Sequence, residues 1–447
     1  MEQPTITTNI RLFVEKELCN NCEEFIDKVS RGDLAGFESD LWKLVGQFYN
    51  LVAEGVLTAS AQAAQGELRQ KARVLGLGKL EERPMRVQIR TGHYVTVPGL
   101  YAKKVPRGYQ GVRHMLRAHW NLLKGASAAY YGMVCQFSVL CPSFEVACHI
   151  LETQGIAHNR DRVQELSRAL ARHCKSRQAE LTRGKGETLR GKRVLIGVDG
   201  GRTRMRQYTG EKNSAGNAKF DTPWMEPKMF VIEVLDEQGN IERSELPIYG
   251  CLFGDDELVD LLAQHLQGLE IQHAKQVQIV ADGALWIWNR LKERLLSLGV
   301  PEEKIIETVD FYHASEYVHK LVAALPAKQK KESPTILKSF KQWLWEGDIQ
   351  AIVEKCRQYF KRPSQEISQY IGYLDKNKGR MQYAEFRHKK LVCGSGVIES
   401  GIRRVINLRF KNSSAFWKPE NVEGLFFLRG ILLAFRWDIL MNNLIQS

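Results

Sequence analysis

The chain has 447 residues, 44% of them hydrophobic and 26% charged. That is enough for two or three domains of roughly 150 residues each, and it excludes a disordered or fibrous protein. A formal net charge of +13 points to a polyanionic partner, nucleic acid first, because Lys and Arg gain affinity by releasing phosphate counterions.

Nine cysteines, an odd number spread over the chain, fit reduced thiols better than a disulfide framework. No uninterrupted apolar run reaches the ~18 residues of a membrane span; Leu425-Phe426-Phe427-Leu428 is broken by Arg429. Met1-Glu2-Gln3-Pro4 lacks the basic and apolar regions of a signal peptide. A cytoplasmic protein with no membrane partner is expected.

In chain order, residues 1–80 read as a helical region. Phe37, Leu41, Leu44, Val45 and Phe48 recur at the 3/4 spacing of an amphipathic helix. Cys19-Asn20-Asn21-Cys22 has the spacing of half a zinc knuckle, but no second pair follows, so no zinc site is expected. Residues 81–112 read as a small β-ribbon, with Val87, Ile89, Tyr94, Thr96 and Val97 around turns at Thr91-Gly92 and Pro98-Gly99. Residues 113–190 read as helical. A helix opened by Pro142-Ser143, a turn at Thr153–His158 and an Asn159-capped helix to Arg172 with four arginines form a helix-turn-helix pattern. Such a pair is either a DNA reader or two packed surface helices. Lys175–Lys192, polar and basic with Gly184, Gly186 and Gly191, reads as a linker, with a domain boundary near residue 190.

Residues 191–326 alternate between strand and helix. The spacing predicts a strand at Val194–Asp199, a polar excursion, a strand at Met229–Leu235, a turn at Asp236–Asn240 and a third strand near Ile241–Tyr249. A helix at Asp255–Leu266, a strand at Val277–Ala281, a helix at Leu285–Leu298, a strand at Lys304–Val309 and a helix at Tyr312–Leu325 follow. This order gives an α/β mixed sheet with helices on its faces. Residues 327–390 read as an all-α insertion, and 391–447 return through Gly394-Ser395-Gly396 to a long helix starting near Val397.

Three carboxylates carry the chemistry. Asp199 and Asp282 each end an apolar run, where open α/β sheets place ligands. Glu399 lies in the first turn of the helix after the Gly-Ser-Gly turn. Two aspartates at strand ends and a glutamate on a helix suit a two-metal phosphoryl-transfer site, with cations ~3.5–4 Å apart stabilising the attacking and leaving oxygens. A lone Asp-Gly is usually only a strand-to-turn transition; the set of three is what signals chemistry.

The strings Val198-Asp199-Gly200-Gly201, Ala281-Asp282-Gly283-Ala284-Leu285-Trp286, Asp310-Phe311-Tyr312-His313-Ala314 and Gly394-Ser395-Gly396-Val397-Ile398-Glu399-Ser400 resemble the catalytic domain of DDE transposases from bacterial insertion sequences. The match runs on through Arg409-Phe410-Lys411 and Trp417, and covers roughly residues 190 to 440. Relatives often carry zinc-ribbon cysteines where Arg83–Val112 has none. The resemblance implies an RNase H-like mixed sheet with the helical insertion before the glutamate, after a mainly α N-terminal region with a small β-ribbon. It also implies Asp199, Asp282 and Glu399 as catalytic residues and ligands of two Mg²⁺ or Mn²⁺ ions. DNA, as element ends and target, would be the partner, bound by a homodimer or higher oligomer in the bacterial, nucleoid-associated cytoplasm. A domesticated, transposase-derived DNA-binding protein without transposition activity is the alternative. A glycosidase using a carboxylate pair fits the basic charge poorly.

Eleven Lys and Arg against four Asp and Glu lie between Asp375 and Glu420. Arg403, Arg404, Lys411 and Lys418 there, with Arg202 and Arg204 after the first aspartate, are the candidate DNA contacts. Arg403 either clamps a phosphate or pairs with Glu399 one helical turn away. Trp417 either stacks on a base or packs in the core. His313 is a candidate neighbour of the site with an equally open structural role.

Overall fold

The computed structural model describes residues 6–109, 111–411 and 416–446; the Met1–Pro4 segment lies outside them. Two compact units are formed, Met1–His173 and Cys174–Ser447. In the first, helices Ile6–Phe13, Cys19–Ser30, Leu34–Ala63 and Gln65–Val74 precede two antiparallel strand pairs. Met85–Gln88 pairs with Tyr94–Val97, and Gly78–Glu82 with Leu100–Lys104. The period-2 alternation of the third strand puts Val95 and Val97 into a core with Leu68, Ala72 and Leu116.

Helices Phe144–Thr153 and Arg160–Cys174 follow. Ser143 Oγ accepts from Val146 N at 3.1 Å and Asn159 Oδ1 from Arg162 N at 2.7 Å, as capping demands. The second helix is less open to a ligand than its composition implies. The Arg162 side chain is 13% exposed and donates to Gln88 Oε1 and the Lys124 carbonyl, both at 2.9 Å. Arg160 pairs with Glu145.

The second unit centres on one five-stranded sheet. Its strands are β1 (Arg193–Gly200), β2 (Lys228–Leu235), β3 (Ile248–Leu252), β4 (Gln276–Ala281) and β5 (Ile305–Val309), in the order β3-β2-β1-β4-β5. β1, β4 and β5 run parallel; β2 is antiparallel to both β1 and β3. Helices cover both faces of the parallel part, so β1 is buried from Arg193 to Val198 and reads as a continuous apolar run. The third strand differs from expectation. Ile241 makes only a bridge to Leu235, and the paired strand begins at Ile248. The polar excursion is also structured: Gln207–Lys212 and Ala218–Asp221 form an exposed hairpin, with a short Thr203–Arg204/Trp224–Met225 pair at its base.

Around the sheet lie α1 (Asp255–Gly268), α2 (Leu285–Ser297) and α3 (Phe311–Ala323). The helices α4 (Ser333–Glu346), α5 (Ile349–Tyr359), α6 (Gln365–Asn377) and α7 (Tyr383–His388) come before the chain returns. The expected long helix near Val397 is broken into α8 (Gly396–Ile402), a π-helical turn at Arg403–Asn407 and a short Leu408–Phe410 piece. α9 (Pro419–Leu433) and α10 (Trp437–Gln446) close the chain.

Lys175–Lys192 is not a free linker. Leu181, Thr182 and Leu189 are buried, and Leu189 N donates to Leu269 O at 2.8 Å. Glu187 is paired with Arg436, which is 1% exposed. The break between the units therefore falls at His173/Cys174 rather than near residue 190.

Candidate active site

Three neighbouring parallel strands carry an aspartate at one level, within β1 and just past the ends of β4 and β5. Val198 faces Ala281, and Ala281 faces Val309; the next residue on each strand is an aspartate, Asp199, Asp282 and Asp310. Glu399 reaches the same end from α8, which rests directly on β1. A Cβ at Gly197 would lie 3.0 Å from Ile398 Cβ and 3.0 Å from Val231 Cγ1, so only glycine lets the helix come this close.

Asp310 is 4% exposed. Its Oδ1 accepts from Ser395 N at 3.1 Å and Tyr312 N at 3.2 Å, and its Oδ2 from His313 N at 3.1 Å. It thereby caps α3 and pins the Gly394-Ser395-Gly396 turn to the end of β5. Ser395 Oγ then donates to Glu399 Oε1 at 2.7 Å. This chain of contacts orients the glutamate, and Asp310 had no assigned role from sequence. The signal was present, an aspartate three residues ahead of His313 at a helix start, but its second partner lies 85 residues away.

Asp199 feels the charges of the other two carboxylates. Burial first, and then the charges of Asp282 and Glu399, push the Asp199 carboxyl up to about 6. The Gly200 N–H at 2.7 Å and His313 oppose the rise. His313 thus stands within electrostatic reach of the site. Among the described residues, no three His, Cys, Asp or Glu side chains are grouped as a ready-made metal cage. Asp199, Asp282 and Glu399 are all carboxylates, the hard oxygen donors that Mg²⁺ takes together with several waters.

α6 closes on the second aspartate. Tyr373 Oη donates to the Asp282 carbonyl at 2.7 Å. Gly283 holds a left-handed φ of +93°, and a Cβ there would lie 2.6 Å from that hydroxyl. Tyr373 stacks on Tyr317 at 3.9 Å, with the His313 ring 5.6 Å from Tyr317. Burial raises the Tyr373 hydroxyl well above its ordinary range, so it stays a donor. Asp282 Oδ1 accepts from Ala284 N at 3.0 Å.

The basic candidates divide. Arg202 and Arg403 are exposed, and their side chains make no ion pair or hydrogen bond among the described residues; the Arg403–Glu399 side-chain pair is not formed. Lys411 is exposed, and so is Lys418, whose ammonium lies 5.3 Å from the Tyr208 ring centre. Arg204 stacks on Trp224 at 4.9 Å. Arg404 is half-buried and donates to Tyr249 Oη at 2.6 Å. Trp417 takes the packing role. Its ring lies 5.0 Å from that of Phe410, its N donates to Arg204 O at 3.2 Å, and its O accepts from Arg206 N at 2.7 Å.

No family model matches the chain, and no curated protein matches it. Among solved structures it is similar to one titled "Drosophila P element transposase strand transfer complex". The identity is 11%, over 70% of this chain and 93% of that chain, with a TM-score of 0.35. A likeness at that score carries no argument about this chain, and the functional reading rests on the site.

Proposed function

We propose that the chain is a DDE-type transposase of a bacterial insertion sequence, built on an RNase H-like core, that cleaves DNA at element ends and joins the ends to target DNA. One observation carries this reading: Asp199 and Asp282, 83 residues apart, follow the facing residues Val198 and Ala281 of neighbouring parallel strands, and the helix of Glu399, a further 117 residues on, rests on the same strand at Gly197. Like charges held near one another cost free energy unless a counter-charge joins them. Asp199, Asp282 and Glu399 would hold two Mg²⁺ or Mn²⁺ ions, which would activate the attacking oxygen and stabilise the leaving one.

The chain's own part is positioning. Asp310 and Ser395 fix Glu399, Tyr373 fixes the Asp282 turn, and Arg202 and Arg403 offer unpaired guanidinium groups to phosphates beside the carboxylates. No side chain serves as a nucleophile; water and then a DNA 3′-hydroxyl attack. DNA-bound homodimers or higher oligomers in the bacterial cytoplasm are the expected form. The test is cleavage of DNA carrying the sequences that flank the gene, with and without Mg²⁺ or Mn²⁺. Asp282→Asn should abolish metal-dependent cleavage while DNA affinity stays within about threefold, because binding rests on Lys and Arg. Equal loss of both would mark Asp282 as structural.

A further inference from the structure

The ribbon of the first unit carries cations that almost no carboxylate answers. Between Arg83 and Lys124 there are nine Lys and Arg and no Asp or Glu, in a chain with 51 acidic residues. Arg83, Arg86, Arg90, Arg107, Arg113 and Lys124 are exposed. Among the described residues, only Lys103 of the nine forms an ion pair, with Glu81. The helices before the ribbon differ: Lys28, Arg31, Lys43 and Arg69 each hold a carboxylate. The fold gathers the unpaired charges. Strand alternation buries Met85 and Val87 and turns Arg86 outward, opposite Thr96. A Cβ at Gly125 would lie 3.4 Å from the Arg86 carbonyl and 3.6 Å from Arg117 Nη2, so the Arg117 guanidinium stands beside that strand. His114 Nε2 lies 3.3 Å from the Arg83 carbonyl, and Ala102 N donates to Arg113 O at 3.0 Å. The bonds from Arg162 to Gln88 and Lys124 tie the last cation of the run to the same ribbon. A cleft beside Arg86, lined also by His93, Tyr94, His158 and Asn159, has no carboxylate in its wall.

We infer that this ribbon surface, and not the basic helix Arg160–Cys174, is where the first unit grips the phosphate backbone of duplex DNA. Unpaired cations gain affinity by releasing phosphate counterions, whereas paired ones must first give up a partner. The arginines of the helix are engaged: Arg160 by Glu145, Arg162 by Glu165, Arg168 by Gln164 Oε1 at 2.9 Å and Arg172 by the Arg168 carbonyl at 3.2 Å. The aromatic rings favour a duplex over a single strand. Arg86 lies over the Tyr94 ring at 4.3 Å and Arg83 over the Tyr101 ring at 5.0 Å, so each guanidinium occupies a face on which an unpaired base would stack. That the duplex is DNA rests on the proposed function. Phosphate contacts carry no sequence information, so the ribbon holds a duplex of arbitrary sequence.

The test uses the full chain in EDTA and the anisotropy of a labelled DNA duplex of about 20 base pairs and arbitrary sequence. Arg86→Ala/Arg113→Ala/Lys124→Ala should bind at least tenfold more weakly at about 100 mM salt, with an unchanged circular-dichroism spectrum. Its plot of log affinity against log salt should flatten by roughly 2 to 3, about 0.9 for each lost phosphate contact. Arg168→Ala/Arg172→Ala should change affinity by less than about twofold. A ribbon variant that binds like the wild type, a helix variant that loses as much as the ribbon variant, or tighter binding to single-stranded DNA or to an RNA duplex overturns the proposal. Should the triple variant misfold, Arg86→Ala and Arg113→Ala singly decide, each expected to cost about threefold. Cleavage with Mg²⁺ is read separately. A wild type that loses DNA with the ribbon charges yet never cuts supports the ribbon and overturns the catalytic reading. A wild type that cuts, beside a ribbon variant of full affinity, overturns the ribbon alone.

Discussion

Replacing Asp310 by alanine tests whether a third strand-end aspartate is spent on holding the site together. Its carboxylate accepts from three backbone N–H groups and is 4% exposed. Losing the α3 cap costs about 1 kcal/mol. Leaving the buried Ser395 N–H without an acceptor costs a further ~1–3 kcal/mol, so about 3 kcal/mol in all. For a unit of this size that lowers the melting temperature by roughly 6–10 °C, read by differential scanning calorimetry on the full chain. Asp310→Asn retains one carbonyl oxygen but turns an NH₂ toward a donor, so it should fall between wild type and alanine. At a temperature where Asp310→Ala is still folded, its metal-dependent cleavage should drop at least tenfold, because Ser395 no longer fixes Glu399. A melting shift below 2 °C, or full cleavage by the folded variant, would refute the reasoning.

Glu233 offers a pH test away from the site. Burial raises its carboxyl from 4.5 to about 7, with Arg404 and Arg436 opposing the rise. The folded value lies above the unfolded one, so the wild type loses stability as pH climbs through the window from about 4.5 to 7. Glu233→Gln should match the wild type near pH 4 and exceed it by up to about 3 kcal/mol at pH 8; a gain independent of pH would sink this account. Arg403→Ala should leave the melting temperature unchanged and depress strand transfer, whereas full activity would reduce Arg403 to a solvent-facing residue. Arg404→Ala, which breaks the bond to Tyr249 Oη, should lower stability by about 1–2 kcal/mol, and no loss would contradict that contact.

The strand ends were legible in the sequence because parallel strands buried on both faces have to be apolar throughout. Val194–Val198 and Val277–Ala281 each stop abruptly at an aspartate. The hairpin at Gln207–Asp221 was not legible: nearly every residue in it is exposed, so no hydrophobic alternation announces it. Composition misled in two places for one reason. The basic, glycine-containing stretch Lys175–Lys192 looked like a tether, yet Glu187 is held by an arginine 249 residues later. The helix from Asn159 to Arg172 offers four arginines by composition, yet two partners of Arg162 lie 74 and 38 residues earlier. Charged residues read as solvent-facing until a distant partner is known, and the local pattern holds no trace of that partner. The same limit applied to Arg404 and Tyr249, 155 positions apart.

The three aspartates at one level of the sheet show how the site divides its labour. All are offered by the same register, so position alone does not distinguish them. Asp310 is distinguished by saturation: with three N–H donors on its oxygens it has little capacity left for a ligand. Asp199 and Asp282 each accept one backbone N–H, from Gly200 and Ala284 respectively, and keep most of their lone pairs. The third open carboxylate therefore has to come from elsewhere, and α8 supplies it by resting on Gly197. The strand order makes this possible, since β1 lies in the middle of the sheet, flanked by β4 with Asp282 and covered by the helix of Glu399. On the proposed function, the glycines at 197 and 283 and the saturated Asp310 serve one end, leaving Asp199, Asp282 and Glu399 open to a divalent cation.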